Sequence, residues 1–185
     1  MTFRDAMRRK FADFRGCRRA VIAIEFAIVL PVMLTLWLGV VEFGSLHLAA
    51  KKVEVAAQSV ADLISQRNTI DVATLGDFTN AINAIMAPFP KGTGTVAYQI
   101  ISVVADAADA TSVAWYYPTG GAAPSVPPEA EPLVTGNDNV IVVTVSYSHV
   151  PWLSSYYVLT GNVALSETMY AKPRLVATIP CTDCP

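Results

Sequence analysis

Charge, histidine and cysteine are all scarce in this chain. Only 15% of its 185 residues are charged, against 53% hydrophobic. That balance favours burial over disorder. The two histidines, His47 and His149, lie far apart, one in an apolar helical stretch and one near the end of a strand-like run. They read as isolated polar residues rather than a metal pair. There is no P-loop, no G-x-S-x-G and no H-E-x-x-H, so the chemistry those motifs mark has no carrier here. Thr135–Asn139 ("TGNDN") lacks further ligands at calcium-loop spacing and reads as a turn. No cofactor, metal or small-molecule substrate is expected, and no enzyme activity.

The net charge of −2 conceals an asymmetry. Residues 1–20 carry seven bases and two acids; the rest of the chain carries six bases and thirteen acids. A basic head and an acidic body suit a membrane protein better than a nucleic-acid binder. Directly after the basic cluster, Val21 to Val41 holds a single ionisable residue, Glu25. These 21 residues span roughly 30 Å as a helix, the thickness of a bilayer core. The positive-inside rule then places the N-terminus in the cytoplasm and the body outside it. The apolar run is longer than that of a secretory signal peptide.

Glu25 is the costly feature. A charge near the middle of a membrane helix costs about 2.5–3.5 kcal/mol on insertion scales, and less near the interface. Either it is a tolerated interfacial charge, or it meets a cation. Pro31, mid-span, removes one backbone hydrogen bond and permits a kink. It either serves packing in an assembly or is simply tolerated.

The string Ala23-Ile24-Glu25-Phe26-Ala27-Ile28-Val29-Leu30-Pro31, with Gly39 and Glu42-Phe43-Gly44 following, resembles the TadE-like family. These are minor pseudopilins of the tight-adherence (Flp-type) pilus system. The specific match covers about residues 16–44. The resemblance implies cleavage by a prepilin peptidase between Ala20 and Val21, where Ala20 stands in place of the family's usual Gly. It implies that Glu25 neutralises the new Val21 amine of a neighbouring subunit, and that Phe26 and Pro31 belong to the assembly helix. A buried pair costs less than either charge alone. The implied partners are the membrane, the peptidase, other pilins and pseudopilins and the pilus-assembly platform. The implied location is the bacterial inner membrane, single pass, with the protein itself possible in the pilus. Without cleavage, Glu25 could instead pair with Arg18 or Arg19.

Beyond the span, Leu46, Ala49, Val53, Ala56, Val60 and Leu63 repeat at helical spacing, so an amphipathic helix over 42–66 is expected to continue it. Asp71 is placed to cap a second helix with Val72, Leu75, Phe78, Ile82 and Ile85 on one face, ended by Pro88. Strands are predicted at 95–106, 111–117, 139–150 and 161–174, with a proline-rich loop over 118–136. In the third strand, Val140, Val142, Thr144, Ser146 and Ser148 point one way and Ile141, Val143, Val145 and Tyr147 the other. Helices followed by an antiparallel sheet make the extracytoplasmic head, residues 67–185, α+β. Trp152, Tyr156 and Tyr157 fall in the last connection, either packed over the sheet or forming a subunit contact.

Cys181-Thr182-Asp183-Cys184 is the one redox-type motif. No helical pattern follows it to lower a thiol pKa. A disulfide between Cys181 and Cys184, a metal or intersubunit bond, and a catalytic dithiol all remain open. Cys17 lies on the cytoplasmic side and leaves with the leader if the chain is cut. The preferred function is that of a minor pseudopilin supporting surface attachment. Its rivals are an uncleaved single-span anchor with a binding head and an extracytoplasmic thiol-disulfide enzyme.

Overall fold

The computed structural model describes residues 18–89, 96–118, 123–151 and 162–184. The leader up to Cys17 and the loop holding Trp152, Tyr156 and Tyr157 lie outside the described residues. The chain divides into two compact units, Met1–Gly44 and Ser45–Pro185. Helix α1, Arg18–Ser65, contributes to both and contains Pro31.

In the first unit α1 is mostly exposed from Val21 onward, with Leu38 and Glu42 partly covered. In the second it has a buried face: Ala49, Val53, Ala56, Ala57, Val60, Ala61 and Ile64 are covered. Small residues dominate that face, which lets neighbouring elements approach closely. Leu63, expected on it, is 40% exposed, and Ile64 takes its place. A stripe of spacings three and four drifts around the helix, so the phase that wins is the one burying most apolar area.

Helix α2, Val72–Met86, begins as the sequence indicates. Asp71 has extended backbone geometry and its Oδ1 accepts from the Thr74 amide at 2.7 Å. Such a cap satisfies one of the donors that the first turn leaves open. Leu75, Phe78, Ile82 and Met86 are buried, with Ile85 packed against them. Lys52 of α1 donates to the Ile85 carbonyl at 2.7 Å, tying the two helices near the end of α2.

The strands β1 (Val96–Ala105), β2 (Thr111–Tyr117), β3 (Asn139–His149) and β4 (Val163–Ala171) form one antiparallel sheet in the order β2-β1-β3-β4. The fold is α+β, as the sequence pattern indicates. β1 pairs with both β2 and β3, with Val96 opposite Tyr147 and Val104 opposite Asn139.

The two faces of β3 separate as their alternation requires. Ile141, Val143, Val145 and Tyr147 join the core shared with the helices. Val140 and Val142 join a second cluster on the opposite face, with Ile101, Val103, Ala105, Ala130 and Val134. The proline-rich connection supplies that cover through Val126, Ala130 and Val134, the last two flanking a short 3-10 turn at Glu131–Leu133. Its end is fastened where Gly136, at φ +52°, donates to Asp109 Oδ1 at 2.8 Å, and Lys172 meets Asp138 at 2.6 Å. The predicted turn at Thr135–Asn139 is present, with Asn137 also at positive φ.

Candidate functional site

The first candidate surface is the apolar part of α1. Val21 is 53% exposed, Phe26 62% and Trp37 62%, and Glu25 and Pro31 are exposed too. Among the described residues this is the one helix long and apolar enough to cross a membrane. A helix apolar all round and exposed among the described residues needs lipid or other helices as its surroundings.

Val21 and Glu25 stand one helical turn apart, on the same face. Ala20 lies in the same helix. Phe26 lies beside Glu25, and Pro31 more than a turn further on. The residues implied for processing and assembly are therefore a run along one helix rather than a converging cluster.

Pro31 has no amide hydrogen, so the Ala27 carbonyl loses its usual donor four residues on. One turn after it, the Thr35 hydroxyl donates to the Pro31 carbonyl at 2.8 Å. In an apolar medium this bond keeps the hydroxyl satisfied within its own helix. Side chains added at Gly39 or Gly44 would meet nothing within 4 Å. Neither glycine is demanded by a close approach among the described residues.

The second candidate is the tail of the head, Arg174–Cys184, which runs over the corner between α1 and α2. The Arg174 amide donates to the Ser65 carbonyl at 2.9 Å, and its guanidinium pairs with Asp62. Ile179 is buried, and its carbonyl accepts from the Trp115 indole at 2.7 Å. Ile70 and Cys181 form a short parallel bridge: the Ile70 amide donates to the Pro180 carbonyl at 3.1 Å, and the Thr182 amide to the Ile70 carbonyl at 3.1 Å. Asp183 Oδ1 accepts from the Val72 amide at 2.9 Å. The first turn of α2 thus has two carboxylate caps, Asp71 and Asp183.

Cys181 and Cys184 are joined to each other, with Cα atoms 5.5 Å apart, and both half-buried cysteines pack against the helix-side core. Together with Asp183 their donor atoms fall within 4.8 Å of one another, a spacing a metal could use. In this arrangement the sulfurs are bonded and the carboxylate faces the Val72 amide. A reactive C-x-x-C dithiol takes its low thiol pKa from a helix N-terminus or a nearby cation. Here the helix N-terminus is occupied by two carboxylates, and Asp183 Oδ1 lies 3.8 Å from Cys181 Sγ. A neighbouring negative charge disfavours a thiolate, so this geometry suits a structural disulfide better than a catalytic one.

An open pocket of about 360 Å³ lies between Gln58–Ser65 of α1 and Met169–Arg174 at the end of β4. The Asp62–Arg174 ion pair sits on its wall. Elsewhere in the head, titration is displaced by structural contacts. Asp71 is held below the usual carboxylate range by its hydrogen bonds to Thr74, and burial pushes the phenols of Tyr117, Tyr147 and Tyr170 upward.

Sequence reasoning did not find Asp183, Arg174 or Ile179. Their partners lie 111, 112 and 64 residues away in the chain, and no local pattern encodes such pairings.

Residues 20–62 match the family model described as TadE-like protein. The matched stretch contains Ala20, Val21, Glu25, Phe26 and Pro31, and ends within the part of α1 that packs in the head. The sheet and the cysteine pair lie outside it. The TadE-like family belongs to the Tad/Flp pilus system and is not an enzyme family. No curated protein and no solved structure matches the chain significantly.

Proposed function

We propose that this chain is a minor pseudopilin that acts in assembly of a tight-adherence pilus. The observation that carries the reading is the coincidence of two features on one segment. The stretch that matches the TadE-like model opens with the part of α1 whose apolar surface is mostly exposed. In this reading the helix sits in the bacterial inner membrane with its N-terminus in the cytoplasm, and the head outside. A prepilin peptidase cuts between Ala20 and Val21. The new Val21 amine, positive near neutral pH, is neutralised by Glu25 of a neighbouring subunit. The apolar helix packs against other pilin-like helices at the assembly platform, the head contacts partners outside the membrane, and surface attachment follows through the pilus.

A second reading has one observation in its favour: Ala20 stands where the family's usual Gly precedes the cut. An uncleaved anchor, with the basic turn still attached to the span, fits that departure. In that case Glu25 has Arg18 or Arg19 as its interfacial partner, and the head acts as a binding module.

The intact mass and N-terminal sequence of the protein from its native membrane, with and without the peptidase, separate the two. The pseudopilin reading expects a peptidase-dependent start at Val21. A start at Met1 in both strains overturns it in favour of the uncleaved anchor.

A further inference from the structure

We propose that the Cys181–Cys184 disulfide operates as a redox clasp, which fixes the tail onto the α1–α2 corner and aims Asp183 at the N-terminus of α2. The bonds from the tail to Ile70, Val72 and Trp115 all start between Ile179 and Asp183. That segment lies within the four-residue ring or directly before it. Apart from the isolated bridge at Cys181, the tail belongs to no helix or strand. Irregular backbone of this kind opens locally unless something ties it down.

The ring supplies that tie in two ways. It restricts the backbone of Thr182 and Asp183, which donates to Ile70 and accepts from Val72 respectively. It also draws both sulfurs against the helix-side core. With the ring open, the Asp183 carboxylate is free to rotate away into water. The Val72 amide then reverts to an open first-turn donor, and the Ile179–Trp115 seat loses its neighbouring anchor.

The chemical step is thiol–disulfide exchange. The two cysteine thiols are oxidised to one S–S bond, and a disulfide of an exogenous oxidant is reduced to two thiols. The protons pass from the cysteines to the departing thiolates. Thiols stay reduced in the cytoplasm and oxidise outside it, so the clasp closes only once the head has left. That timing rests on the proposed orientation; the clasp itself rests on the head alone.

The test is amide hydrogen exchange on the full chain in detergent micelles: oxidised, reduced with a phosphine, and reoxidised with glutathione disulfide. Reduction lowers protection at Val72 by about tenfold or more, the scale of a lost charge-assisted bond, and at Ile70 and Thr182 by about fivefold, the scale of a lost neutral one. Amides of β3 keep theirs, and reoxidation restores the corner. The Cys181→Ser/Cys184→Ser double variant matches the reduced protein. Asp183→Ala, with the disulfide intact, lowers protection at Val72 alone. Unchanged protection on reduction overturns the clasp. Loss spreading through β3 also overturns it, because the disulfide is then a general stabiliser rather than a local device. These outcomes are read in purified protein and are independent of where the chain is cut or how it is oriented.

Discussion

Two aspartates show how far a single residue's role can be read in advance. Asp71 is legible: an Asp three residues before Thr74, ahead of an apolar helical stripe, is a cap pattern contained in one turn. Its bonds to Thr74 hold its pKa below the ordinary 3.8. A carboxylate with a depressed folded pKa contributes stability above its unfolded value, and that contribution fades as pH falls through the lower folded one. Replacing it with Ala should therefore lower the melting temperature of the head by a few degrees at neutral pH. The gap between variant and parent should shrink as the pH drops below about 3.8. Asp71→Ser should recover most of the loss, since serine also caps, and should remove the acid dependence. Melting curves of the three proteins across pH check this. Asp183 was illegible because its target, the Val72 amide, is supplied by the fold and not by its neighbours in sequence. Glu25 is a third kind of case, visible as an anomaly whose proposed partner lies in another molecule. Glu25→Ala should leave membrane insertion intact or improved, while abolishing co-purification with the other pilus subunits. Retained co-purification in native membranes would sink its assembly role.

At the level of elements, periodicity carried the helices and strands and failed where the partner had to be known. The two faces of β3 were readable because alternation is local. That Val140 and Val142 would be covered was not, since their cover comes from a proline-rich connection with no strand or helix pattern. The pairing of β1 with β3 was also unreadable, because a hairpin links β1 to β2 and nothing local specifies its other neighbour. The phase of α1 was nearly right: Ile64 replaces Leu63, and Leu46 is only partly covered. In the apolar part of α1, Gly39 has nothing within 4 Å, yet glycine inside a helix costs about 0.5–1 kcal/mol relative to alanine. A flat spot for another helix would account for keeping it, since small residues let membrane helices approach. Gly39→Leu should then insert normally and keep the fold of the head, but reduce incorporation into the pilus machine several-fold. Gly39→Ala should have a weaker effect. Equal incorporation of parent and Leu variant, measured by quantitative pull-down, would remove Gly39 from any packing face.

For the whole molecule, the cysteines offer one labelling experiment that reads orientation, processing and redox state together. Cys17 lies among the basic residues before the span; Cys181 and Cys184 lie in the head. With the N-terminus in the cytoplasm, a membrane-impermeant maleimide added to intact cells should not reach Cys17, whereas it should label it after lysis. In peptidase-positive cells that label should be missing from the membrane-bound protein, because the proposed cut after Ala20 would remove Cys17. In peptidase-negative cells it should be present. The head should take up no label until a reductant opens its disulfide, and then two labels, from outside the intact cell. Cys17 labelled before lysis would reverse the orientation that the charge asymmetry implies. Cys17 retained in peptidase-positive cells would favour the uncleaved anchor. The three readings differ in which thiols respond and when, so each can fail while the others stand. The charge asymmetry, the span and the cysteine pair are independent features of the chain, and agreement among their readouts is what a membrane-anchored assembly subunit with an oxidised head requires.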